Sequence, residues 1–122
     1  MTLVLIVDDS EQNLKLARDV LRAAAFETLE AGNGAEAVAL ASEHVPDVIL
    51  MDLVLPDMDG ADALRLLAAG AATAAIPVVV LSSSPRAGSD WFLGAGFAGY
   101  LEKPISVREF PGQVRGYCRP GC

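Results

Sequence analysis

Short uninterrupted apolar runs alternate along the chain with stretches whose apolar residues recur every three or four positions. Leu3 to Val7 is the first run; Leu14, Ala17, Leu21 and Ala24 then mark one face of a helix over residues 11–25. Glu27 to Ala31 makes a weaker strand, and Asn33-Gly34 opens a second helical stretch that ends near Glu43. The run DVILMD (Asp47 to Asp52) is again apolar, LPDMDG after it is turn chemistry, and a third helix is predicted from about Ala61 to Ala69. Pro77 opens the cleanest strand, PVVVLS. A glycine-rich helical stretch, a short strand near Ala98 to Leu101 and a last helix from Ser106 follow.

Five strand–helix units over 122 residues predict a single domain, residues 1–122, of the α/β class. The β-branched, nearly continuous strands are those of a parallel sheet covered on both faces. The expected architecture is a doubly wound (βα)5 fold, with a five-stranded sheet in the flavodoxin-like order 2-1-3-4-5. Ligands in such sheets bind beyond the carboxyl ends of the strands, so the residues just after each strand carry the functional expectation.

Those residues are chemically distinctive. Asp8 and Asp9 follow the first strand, Asp52 ends the third, Ser82 ends the fourth, and Glu102, Lys103 and Pro104 follow the fifth. Two carboxylates about 4 Å apart repel by roughly 4 kcal/mol at an effective dielectric near 20, so a cation is expected to offset them. Acidic oxygen donors without His or thiolate suit a hard ion such as Mg²⁺, which keeps waters that a phosphate can replace. Asp52 can act as a nucleophile that forms an acyl phosphate. Lys103 supplies a positive charge, and Ser82 a hydroxyl that can donate to a phosphoryl oxygen. Capping alone does not require both acids, because Ser10 can cap the first helix.

The segments LIVDDSEQN, PDVILMDLVLPDMDG, IPVVVLSS and GYLEKPIS together resemble the receiver domain of two-component response regulators, over essentially the full chain. FETLEA and KPISV further resemble small single-domain cell-cycle regulators of that family. The resemblance implies that Asp8 and Asp9 bind Mg²⁺ with Asp52 and the backbone carbonyl of Val54. It implies that Asp52 accepts a phosphoryl group from a histidine kinase or histidine phosphotransfer protein, and that Ser82, Lys103 and Tyr100 complete the switch. It also implies a cis Lys103–Pro104 peptide, a downstream protein target, and no turnover of an external substrate.

Composition narrows the setting. With 52% apolar and 20% charged residues the chain is that of a globular protein, and a net charge of −7 argues against broad nucleic-acid binding. The apolar runs are strand-length, which excludes a membrane span, and no signal peptide is evident, so the expected location is cytoplasmic. Cys118 and Cys122 both fall in the last five residues and cannot staple a core. GAGFAG (Gly94 to Gly99) matches a dinucleotide fingerprint in letters only, because it precedes a strand rather than following one; it is expected to be a helix end and turn. Lys15, Arg18 and Arg22 form a basic stripe on the first helix, either a solvated face or a dock for an acidic partner helix. His44 is a helix-end residue.

Three features depart from the family pattern. Val54, two residues after Asp52, cannot orient water through a side-chain hydrogen bond. The span Ser84 to Gly99 holds Pro85 and several glycines, so the fourth helix is expected to be short or irregular; Trp91 and Phe92 in it are either core contacts, the favoured reading, or an exposed partner surface. Ser106 and Glu109 form a capping box, and Pro111-Gly112 is expected to interrupt the helix that follows. The weakened helices motivate an alternative, a receiver-like interaction module that works without phosphate. A Mg²⁺-dependent phosphatase of the haloacid dehalogenase type would need a second Asp where Val54 stands.

Overall fold

The computed structural model describes residues 2–82, 96–103 and 105–118. The elements are β1 (Leu3–Val7), α1 (Glu11–Ala23), β2 (Glu27–Ala31), α2 (Gly34–His44), β3 (Val48–Asp52), α3 (Gly60–Ala69), β4 (Val78–Ser82), β5 (Gly99–Glu102) and α4 (Phe110–Tyr117). Residues 84–95 of the span predicted as a fourth helix, with Trp91 and Phe92, lie outside the described residues, as do Pro104 and Cys122. All five strands are parallel, in the order β2-β1-β3-β4-β5, as the sequence predicts.

The period-2 alternation of each strand divides the core into two layers. Val4 and Ile6 of β1, Val48 and Leu50 of β3, and Val79 and Leu81 of β4 meet α1 and α4. Leu5 and Val7, Ile49 and Met51, and Val78 and Val80 point the other way, onto α2 and α3. These twelve side chains are at most 3% exposed, and full burial of each stabilises by about 1.5–3 kcal/mol. The edge strand β2 carries Glu27 and Glu30, charges that blunt an open edge.

The helix ends follow local chemistry. Ser10 caps α1, its Oγ accepting from the Asn13 N–H. At the other end Ala25 lies at φ 72°, and the Phe26 N–H reaches the Leu21 carbonyl at 3.0 Å, a Schellman closure made without glycine. The last helix differs from expectation. It starts at Phe110, not Ser106, and Pro111 sits in its first turn instead of interrupting it. Proline has no N–H to lose there, because the first helical N–H groups have no intrahelical partner. The Glu109 N–H does donate to Ser106 Oγ at 3.3 Å, but that bond closes the turn before the helix.

Of the GAGFAG glycines, Gly96 sits in the turn before β5, Gly99 is a strand residue, and Gly94 lies outside the described residues. Gly96 has φ +105°, and Gly99 begins β5, where an added Cβ would come within 2.3 Å of the Tyr117 ring. Gly99 therefore lets α4 pack closely on the sheet.

Candidate functional site

Parallel pairing brings the carboxyl ends of β1, β3, β4 and β5 side by side. Met51 pairs with Val7, Leu81 with Asp52, and Glu102 with Ser82. The residues that end or follow these strands are Asp8, Asp9, Asp52, Ser82 and Lys103. Asp8, Asp9 and Asp52 each present a carboxylate oxygen, and these oxygens lie within 4.8 Å of one another.

Lys103 links the cluster. Its Nζ donates to Asp8 Oδ2 at 2.6 Å and to Asp52 Oδ2 at 3.1 Å. Asp8 is 1% exposed; its Oδ1 accepts the Ser10 N–H at 2.9 Å and its Oδ2 accepts Asn13 Nδ2 at 3.2 Å. Asp52 Oδ1 accepts the Val54 N–H at 3.3 Å. An apolar cleft floored by Ile6 and Leu81 and walled by Leu16 and Ile105 adjoins Asp8 and Lys103. Low polarity on that side strengthens every charge interaction beside it.

The protonation preferences follow from these contacts. Burial raises the pKa of the Asp52 carboxyl; Lys103 and the Val54 N–H pull it back, and the Asp8 charge pushes it up again, leaving it above the ordinary value. For Lys103, burial alone would lower the pKa, but the hydrogen bonds and charges of Asp8 and Asp52 outweigh burial and hold it above the ordinary value. With all three carboxylates ionised, one ammonium leaves about two negative charges in the cluster. An all-oxygen donor set carrying that charge fits a hard divalent cation.

Most of the sequence candidates converge. Asp8, Asp9, Asp52 and Lys103 meet; Tyr100 lies within β5, paired with Val80 and half-buried against the layer that faces α2 and α3. Val54 is 74% exposed at the mouth of the site. Ser82 ends β4 at the same edge, with its side chain outside the described residues, and the Lys103–Pro104 peptide falls outside them as well. The basic stripe of α1 is engaged within the fold. Lys15 pairs with Asp19 at 2.6 Å, Arg18 with Glu30 at 2.8 Å, and Arg22 Nε donates to Thr28 at 2.9 Å, which favours the solvated-face reading. The residue missed from sequence is Asn13. Its signal was present, since the first turn of α1 returns a side chain to the end of β1.

The family model for the response regulator receiver domain matches residues 4–115. The polar-differentiation response regulator DivK of Brucella anthropi is 38% identical over 115 residues, covering 93% of this chain and 94% of that protein. Among solved structures, chemotaxis protein CheY4 of Vibrio cholerae superposes with a TM-score of 0.89 at 25% identity, covering 96% of this chain and 98% of its own. The receiver domain of sensor histidine kinase PA1611 from Pseudomonas aeruginosa, solved with a magnesium ion in its active-site cleft, gives 0.86 at 28% identity, covering 95% and 96%. Fold, strand-end chemistry and these matches agree: the chain belongs to the response regulator receiver domain family, the phosphoacceptor modules of two-component signalling.

Proposed function

We propose that Asp52 is the phosphoacceptor of this receiver, that a histidine kinase or histidine phosphotransfer protein is its donor, and that the phosphorylated form acts on a downstream protein. The observation that carries this reading is the Asp52 carboxylate, held between the Lys103 ammonium and two further carboxylates at the sheet's switch point. In the transfer an Asp52 oxygen forms the new P–O bond as the donor's P–N bond breaks, and the electron pair leaves with the imidazole nitrogen. Asp8, Asp9, Asp52 and the Val54 carbonyl would hold Mg²⁺, whose chemistry there is to neutralise charge on the phosphoryl oxygens. Lys103 supplies a fixed positive charge to the same oxygens. Ser82 then donates its hydroxyl to the phosphoryl group, and Tyr100 follows, shifting a two-state equilibrium that a partner reads.

Beryllofluoride, a phosphoryl mimic, tests the reading by calorimetry. Native protein with Mg²⁺ should bind it, and Asp52→Asn should not; binding by both would remove Asp52 from the role. The complete acidic cluster favours this reading over the phosphate-independent module.

Val54 bears on the lifetime of the phosphorylated state. An exposed valine offers attacking water no hydrogen bond. Val54→Asn is expected to shorten the phosphate half-life severalfold, followed by loss of label after the donor is removed. Equal half-lives would show that this position does not set the rate.

A further inference from the structure

The loop between β3 and α3 is tied down at its tip by a residue that the phosphoacceptor reading does not use. Asp57 turns its carboxylate away from the acidic cluster and onto the N-terminus of α2. Its Oδ1 accepts the Gly34 N–H at 2.8 Å and its Oδ2 accepts the Ala35 N–H at 2.9 Å. Both are charge-assisted bonds at the positive end of a helix. Met58 adds a contact, since a Cβ on Gly34 would lie 2.5 Å from Met58 Cγ and Sδ.

Helix α2 already has a cap. Asn33 Oδ1 accepts the Glu36 N–H at 2.8 Å, and Glu36 Oε1 accepts the Gly32 N–H at 3.3 Å. The Asp57 bonds therefore do more to locate the loop than to start the helix. The loop is short and internally braced: Val54 pairs with Asp59 in an antiparallel bridge, and the Gly60 N–H reaches the Leu53 carbonyl at 2.8 Å. Asp59 in turn caps α3 through the Asp62 N–H at 2.8 Å. Gly60 allows this closure, because a Cβ there would lie 2.8 Å from the Asp52 carbonyl oxygen. Asp57 lies within the loop braced in this way, and the loop's Val54 N–H donates to Asp52 Oδ1 at 3.3 Å.

From this we infer that Asp57 is a positioning residue for the metal and phosphoryl site: its two bonds to α2 hold the loop that presents the Val54 peptide beside Asp52. The inference rests on the proposed function, because Val54 matters to the site only if its carbonyl serves the cation.

The test is Mg²⁺ affinity, measured by calorimetry on folded protein, with phosphorylation by acetyl phosphate as a second readout. Asp57→Ala is expected to weaken Mg²⁺ binding by about tenfold, the scale of lost outer-sphere support. Its phosphorylation should slow at low Mg²⁺ and recover when Mg²⁺ saturates. Asp57→Asn keeps one acceptor oxygen, should fall between, and serves where the alanine variant folds poorly. Asn33→Ala is the control: it removes a cap from the same helix without touching the loop, and should lose stability while keeping native Mg²⁺ affinity. Native affinity in Asp57→Ala, or an equal loss in Asn33→Ala, overturns the inference alone. Absence of Mg²⁺ binding by the native chain overturns it together with the site reading.

Discussion

Lys103→Ala is expected to lower the unfolding free energy of the metal-free protein by about 3 kcal/mol, the scale of a buried ion pair that loses one partner. The lysine side chain is 14% exposed and that of Asp8 only 2%, so the carboxylate left behind cannot recover hydration. Asn13 and the Ser10 N–H remain as hydrogen-bond donors, but neither carries charge. Mg²⁺ should restore much of the loss and bind more tightly than to the native chain, because the competing ammonium is gone. The lysine's pKa is raised in the folded state, so its contribution is complete below the unfolded value near 10.4. It is lost as pH rises through the higher folded value. Urea unfolding with and without Mg²⁺ checks this. A loss of the same size in both conditions would mean that the lysine serves packing, not charge.

Phe110→Ala should cost about 3–5 kcal/mol, the usual range for emptying a buried phenylalanine site. Small domains are typically stable by only about 5–15 kcal/mol. Phe110 is fully buried at the start of α4, and Val114 one turn on is its only fully buried companion in that helix. Eight residues that include Pro111, Gly112 and Gly116 have little intrinsic tendency to form a helix. Packing of Phe110 and Val114 against α1 and the sheet must therefore hold α4 in place. The midpoint in urea should fall sharply with a nearly unchanged slope. A loss below about 1 kcal/mol would show that α4 docks without this anchor.

The sheet and the core of the site could be read from the chain because their signals are local. Buried strands such as Val48 to Met51 announce themselves as apolar runs, and Asp8, Asp52 and Ser82 are each the first polar group after one. What escaped the reading depends on contacts between distant segments or on competition between equal local signals. The capping pattern at Ser106 and Glu109 was real, yet Pro111 fits best in a first turn, so the helix begins later. Ala25 closes α1 in a left-handed conformation that no glycine announced. The roles of Asp57 and of the Arg18–Glu30 pair needed the spatial neighbour, 23 and 12 residues away along the chain.

The most direct test of the central claim is intact mass after incubation with acetyl phosphate and Mg²⁺, for the native chain and for Asp52→Asn. Addition of one phosphoryl group to the native chain alone, abolished by a chelator, is the expected result. A native chain that stays unmodified, and that also fails to bind beryllofluoride in the presence of Mg²⁺, would contradict it.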